Sequence, residues 1–193
     1  MTKKTTTIIA AFATLIALSA PALANEPTSP GLTKSATGPV LDIEIDPIAY
    51  ALSGYSVHGG LSWNHVRLDV GVFGLTMPES MHGVEGVEIK GGGYGAKLDY
   101  YPLRRAPGLF FGGQVSRFRE QARDKMSGLE TAASHTTFGA RVGYRFNITR
   151  GFYVLPWIGV DVSVSDRTQT VAGKEYKPGR VMFFPTVHFG KRF

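Results

Sequence analysis

A chain of 193 residues with a net charge of +6 and 43% hydrophobic residues is long enough for one domain. It has no cysteine, which excludes disulfides and thiolate metal sites. The basic excess is modest and accompanies neither a basic helical stripe nor a stacking platform, so no nucleic acid is expected as a partner; it suits anionic lipid headgroups instead.

At the N-terminus, Lys3 and Lys4 precede an apolar run over residues 8–18 and then Ala22-Leu23-Ala24. This is the pattern of a secretory signal, and cleavage is expected after Ala24. Losing Lys3 and Lys4 with the leader lowers the net charge from +6 to +4. The run is too short to cross a bilayer, and no later stretch reaches the ~20 apolar residues of a transmembrane helix, so any membrane insertion must be by strands. Residues 25–39, rich in Pro, Thr, Ser and Gly, read as a flexible periplasmic segment ahead of the domain at 40–193.

From Val40 onward eight segments each carry one mainly apolar parity. In the first, Leu41, Ile43 and Ile45 alternate with Asp42, Glu44 and Asp46. Tyr55, Val57, Leu61 and Trp63 make the second stripe, Val66, Leu68, Val70 and Val72 the third, and Tyr94, Ala96, Leu98 and Tyr100 the fourth. The fifth is the least regular, with Leu109, Phe111 and Val115 opposite Phe110, Gln114 and Ser116. Phe138, Ala140, Val142, Tyr144, Phe146 and Ile148 form the sixth. The seventh runs from Phe152 through Val154, Pro156, Ile158, Val160 and Val162 to Val164. In the last, Val181, Phe183, Pro185, Val187, Phe189 and Phe193 are interrupted only by Lys191.

An even strand count with alternating connections predicts an all-β, eight-stranded antiparallel up-and-down barrel. Trp63-Asn64, residues 102–108 and residues 149–151 are the expected periplasmic turns, and the longer links at 76–88, 120–134 and 165–179 fall at the opposite rim. Only the first outer link, Ser53-Gly54, reads as short. Trp63, Tyr100, Phe146, Phe152 and Phe189 gather near the periplasmic rim like an interfacial girdle, which favours a membrane barrel over a soluble barrel of lipocalin type.

With its leader, eight alternating segments and terminal Val187, Phe189 and Phe193, the chain resembles the small eight-stranded outer-membrane barrels of Gram-negative bacteria, the group of outer membrane protein A and the opacity-type proteins. The resemblance covers residues 40–193. It implies a location in the outer membrane, contact with its lipids and lipopolysaccharide, and a terminal strand that signals to the outer-membrane assembly machinery. Lys191 departs from the family pattern, which has an apolar residue or Tyr at that place.

The inward parity carries Asp42, Glu44, Asp46, Asp69, Asp99 and Asp161 against Arg67, Lys97, Arg141, Arg145, Arg180 and Arg192. Eight strands enclose a lumen that side chains can fill, and charges kept from water at that density must pair. The expectation is a closed, ion-paired lumen in a non-enzymatic scaffold whose loops meet a surface ligand that the sequence does not identify. Two alternatives stay open, a lipid-modifying enzyme and a narrow channel for small solutes.

Ser56 and His58, two apart and both facing inward, are the only catalytic candidates for acyl transfer or hydrolysis, beside Ser134-His135 at the start of the sixth strand. The acids and His82 of the 76–88 link match no defined cation loop, and the glycines after Lys90 lack the ending of a phosphate loop, so no metal or cofactor is expected. Pro47, Pro156 and Pro185 fall in the first, seventh and eighth segments, which become neighbours on closure. Each removes a ladder donor, either at a bulge or along a weakened lateral seam. The latter is similar to the proline gaps of the eight-stranded lipid A palmitoyltransferase, whose catalytic pattern has no counterpart here.

Overall fold

The computed structural model describes residues 38–103 and 108–193. The leader, residues 25–37 and the centre of the 102–108 turn lie outside them. The described chain forms β1 (Val40–Ile45), α1 (Pro47–Ala51), β2 (Tyr55–Trp63), β3 (Val66–Met77), α2 (Glu79–His82), β4 (Val87–Tyr100), β5 (Gly108–Asp124), β6 (Glu130–Asn147), β7 (Phe152–Ser163), β8 (Gln169–Val171), β9 (Lys174–Tyr176) and β10 (Val181–Arg192). Eight strands close a barrel in the order β1-β10-β7-β6-β5-β4-β3-β2, and β8 and β9 form a separate hairpin. All neighbours are antiparallel, and closure pairs Asp42 with Arg192 and Ile45 with Phe189. No helix among the described residues is long and apolar enough to cross a membrane.

The side-chain parity decides what kind of barrel this is. On β3, Leu68 is 46% exposed while Arg67 and Asp69 are fully buried. The same inversion repeats on β1, where Leu41 and Ile43 face out and Asp42 and Glu44 face in. A water-soluble barrel would turn its apolar faces inward; here they cover the outside, which only hydrocarbon solvates well. Trp63, Tyr100, Phe152 and Phe189 are exposed at the rim that holds the chain's end, and the Lys191 ammonium lies over the Phe152 and Phe193 rings at 5.1 and 5.4 Å. Lys191 thus rests on the girdle and reaches water along it.

Two expectations need correction. Pro47 is not in a strand. β1 stops at Ile45, and Asp46 caps α1 by accepting a hydrogen bond from the Ile48 amide at 2.9 Å, with Pro47 in the first turn, where a missing N–H costs nothing. The first outer link is therefore a helix and a turn, with Ser53 at φ 55. The 120–134 link is mostly strand, because β5 and β6 continue to Asp124 and from Glu130.

Those long strands carry a folded cap. Val87, Ile89, Ala122, Val171 and Tyr176 form a buried apolar cluster with Met77 and Val84 packed against it. The β8–β9 hairpin is pinned there by Arg167, which holds the Glu120 carboxylate through Nε and Nη2 and donates to the Gly179 carbonyl at 3.3 Å. Lys174 donates to Asp124 at 2.8 Å. Burial and the neighbouring Glu120 carboxylate push the Tyr176 hydroxyl up to about 12, so it stays a neutral donor to Glu120.

Candidate functional site

The inward charges meet at one hub. Arg67 on β3 reaches Asp42 (Nη2 to Oδ1, 2.5 Å), Glu44 (2.9 Å) and Asp69 (3.0 Å), with Asp99 at 3.7 Å. Arg141 on β6 grips Asp99 bidentately at 2.8 and 2.6 Å, the geometry a planar guanidinium and a carboxylate favour. Lys97 lies 3.1 Å from Asp69. Arg145 sits 3.6 to 3.7 Å from Glu44 and Asp42, with its guanidinium 4.1 Å from the Tyr153 ring centre. Four acids and four bases thus balance at the centre. Glu44 also accepts from Tyr153 Oη at 2.7 Å and contacts His188 Nδ1 at 2.9 Å, so its lone pairs are well used.

The outlying members of the expected set behave differently. Asp46 accepts from Thr186 Oγ1 at 2.7 Å, and Asp161 accepts from Gln114 at 2.6 Å, so both are satisfied by neutral groups. Arg192 stands opposite Asp42 at the closing seam. Arg180 is the correction: it is exposed just before β10 starts, beyond the last β7–β10 pair, and takes no part in the lumen.

Glycines make this packing possible. A Cβ at Gly60 would collide with the Asp42 carboxylate and the Arg67 guanidinium, and one at Gly71 would enter the His58 ring. Below and beside the charges, Tyr101, Phe110, Tyr153, Leu155 and Trp157 form a second buried cluster, and Arg141 stacks between the Phe110 and Trp157 rings at 5.0 and 4.7 Å. The sequence reading missed this aromatic filling because it followed only the charged members of the inward parity. Tyr153, Leu155 and Trp157 alternate against the outward stripe of β7 and could have been found that way.

Ser56 and His58 are buried on the inner wall of β2. His58 Nε2 lies 3.0 Å from Ser56 Oγ, and Nδ1 lies 3.0 Å from Asp69 Oδ1. A carboxylate only accepts, so a bond to Asp69 uses the tautomer with Nδ1 protonated and Nε2 facing the hydroxyl, whereas a bond from the Lys97 ammonium to the same Nδ1 uses the other. Lys97 Nζ, 3.1 Å from Nδ1, is equally near Asp69 and neutralises it. Asp69 is the acid beside His58 that sequence spacing did not reveal; the turn at Asn64 brings it opposite Gly60, one inward position from His58. His135, the other candidate histidine, sits in the cap 3.8 Å from Glu120.

Ser56 also lies beside the weakest part of the wall. β1 is paired with β10 only from Asp42 to Ile45, so β10 from Val181 to His188 is laddered to β7 alone. α1 packs into the space left between β10, β2 and β3, and Leu52 accepts a bond from the Thr76 amide at 2.9 Å. Pro185 stands opposite Ile158, and Pro156 opposite Val187, in this same stretch. Val187, Phe189 and Phe193 lie on the outward face of β10 or at its end. No three potential metal ligands come together among the described residues; Glu79 instead faces Lys125 at 3.5 Å.

No protein-family model matches the chain, and no curated protein matches it. Among solved structures it is similar to Neisserial surface protein A, with 13% identity over 80% of this chain and 94% of that one and a TM-score of 0.50. It is also similar to a major outer membrane protein from Thermus thermophilus, with 10% identity over 81% of this chain and 100% of that one and a TM-score of 0.55. The likeness is one of fold, the eight-stranded barrel that the strand order already displays.

Proposed function

We propose that the protein is an integral outer-membrane barrel that does not conduct, a closed scaffold presenting the folded cap of α2, β8 and β9 for contact with another molecule at the cell surface. The observation that carries this is the balanced set of buried charges around Arg67, packed against glycines. A conducting pore needs water along its axis and commonly carries a ring of one sign; a lumen whose acids and bases neutralise one another offers an ion neither. In this reading β10, through Val187, Phe189 and Phe193, is the segment recognised by the assembly machinery, and the lipids in contact with the wall include lipopolysaccharide. Proteoliposomes carrying the folded protein should hold a potassium gradient as long as empty liposomes do; rapid dissipation proportional to protein would sink the proposal.

A second reading is favoured by the Ser56-His58-Asp69 geometry at the sparsely paired seam. An ester entering sideways between β10 and β2 would be attacked by Ser56 Oγ while His58 Nε2 takes the hydroxyl proton. His58 would pass that proton to the departing alcohol, and water would release the acid. Hydrolysis of a short-chain ester or a phospholipid by the folded barrel should then be lost in Ser56→Ala with the fold intact. Equal release by parent and variant removes this reading and leaves the scaffold untouched.

A further inference from the structure

On the outward faces of β4 and β5 and in the turn after β5, the cations fall into two kinds. Lys90 is 3.1 Å from Glu88, Arg123 is 3.5 Å from Glu130 and Lys125 is 3.5 Å from Glu79, so each has a carboxylate of its own. Arg117 and Arg119 have no carboxylate within ion-pair distance among the described residues. Arg117 donates only to Thr136 Oγ1, at 3.1 Å. They are successive outward residues of β5, both exposed, and ~6–7 Å apart along the strand.

Their position relative to the hydrocarbon is informative. The outward face of β5 runs through Leu109, Phe111 and Val115 before it reaches Arg117. With a rise of ~3.3 Å per residue and a strand tilt of ~40°, Arg117 stands roughly 20–25 Å from the start of the strand, about the height of an apolar belt. Directly beneath it is a groove of about 630 Å³ lined by Val57, Val70, Val72, Tyr94, Ala96 and Val115, with Arg117 at one end. The groove exists because Ala96, the outward residue between Tyr94 and Leu98 on β4, is too small to fill the space beside Val70 and Val115. In the next row Arg119 pairs with Gly92, which pairs with Gly74, and a Cβ at Gly74 would meet the Tyr55 ring. One edge of the Tyr55 ring therefore covers Gly74, with its hydroxyl near Gly92 on the side of Arg119.

We propose that Arg117 and Arg119, with the groove beneath them, form a binding site on the outer wall for a phosphate-bearing lipid of the outer leaflet, its acyl chain in the groove and its phosphate between the two guanidiniums. Two unpaired guanidiniums at a polar boundary match a phosphate in charge and in donor geometry, and the apolar lining matches an acyl chain. The inference rests on the proposed placement in the outer membrane and is independent of whether the lumen conducts. Lipid A and phosphatidylglycerol offer the same chemistry.

The test is native mass spectrometry of the full barrel released from neutral detergent after exposure to one lipid at a time. Lipid A or phosphatidylglycerol should be retained at least about tenfold more than phosphatidylcholine or dephosphorylated lipid A. R117Q/R119Q should lose that preference, while R123Q/K125Q, which removes the same charge from paired positions, should keep it. Retention of only one of the two anionic lipids names the occupant and upholds the site. Equal retention of dephosphorylated lipid A by the parent, or an unchanged preference in R117Q/R119Q, overturns it. A protein that stays out of detergent micelles and bilayers altogether refutes the membrane placement instead, so the two failures read differently.

Discussion

Arg67→Met should cost the barrel about 3–5 kcal/mol, the range for removing one partner from a buried ion-pair network. The size follows from what stays behind. Asp42, Glu44 and Asp69 all lie within 3.0 Å of the same guanidinium nitrogen, and all are at most 2% exposed. Arg145 and Lys97 neutralise only part of the remaining charge, and methionine offers no donor. The measurement is urea unfolding of the folded form in micelles, followed by loss of its faster gel mobility. Arg180→Met, on an exposed arginine outside the network, should shift the same curve by no more than about 0.5 kcal/mol. Equal stability of parent and Arg67→Met would mean that the carboxylates are not held as charges around Arg67.

Glu120→Ala should release the cap without unfolding the wall. Arg167 is 2% exposed, and its guanidinium is spent on Glu120 apart from one bond to the Gly179 carbonyl. Left without its carboxylate it must move to water, which the hairpin can do by lifting off the Val87, Ile89 and Ala122 cluster. A local cost of about 3 kcal/mol corresponds to a rise of roughly a hundredfold in the open population. Limited proteolysis should then cut within residues 165–179 far faster than in the parent, while the urea midpoint of the barrel stays where it was. Unchanged cleavage would show that the apolar cluster alone secures the hairpin.

Much of the wall was legible in the sequence because a barrel writes its geometry as strict alternation. On β3 the apolar stripe from Val66 to Val72 and the charges between them fixed both the strand and the face that lipid touches. The same rule located Arg67, Asp69, Asp99 and Arg141 inside. It failed where local chemistry outweighed the stripe. Asp46-Pro47 is a cap followed by a favoured first-turn residue, so a helix begins although the apolar residues continue toward Leu52. Arg180 kept the inward parity yet fell beyond the strand's end. The cap was least visible, because its Glu120-Arg167 bond joins residues 47 apart that periodicity cannot relate. The Asp69 contact to His58 is intermediate; it depends on a hairpin register that one turn at Asn64 fixes.

The central claim is that paired side chains fill the lumen, and planar-bilayer recording of the purified, folded protein tests it most directly. Current traces at moderate voltage should stay at the baseline of the bare bilayer, with no unitary steps, at salt concentrations where porins conduct freely. Steady, reproducible unitary conductance from the parent protein would contradict it, since ions could then cross only through a continuous watery path past Arg67 and its acids.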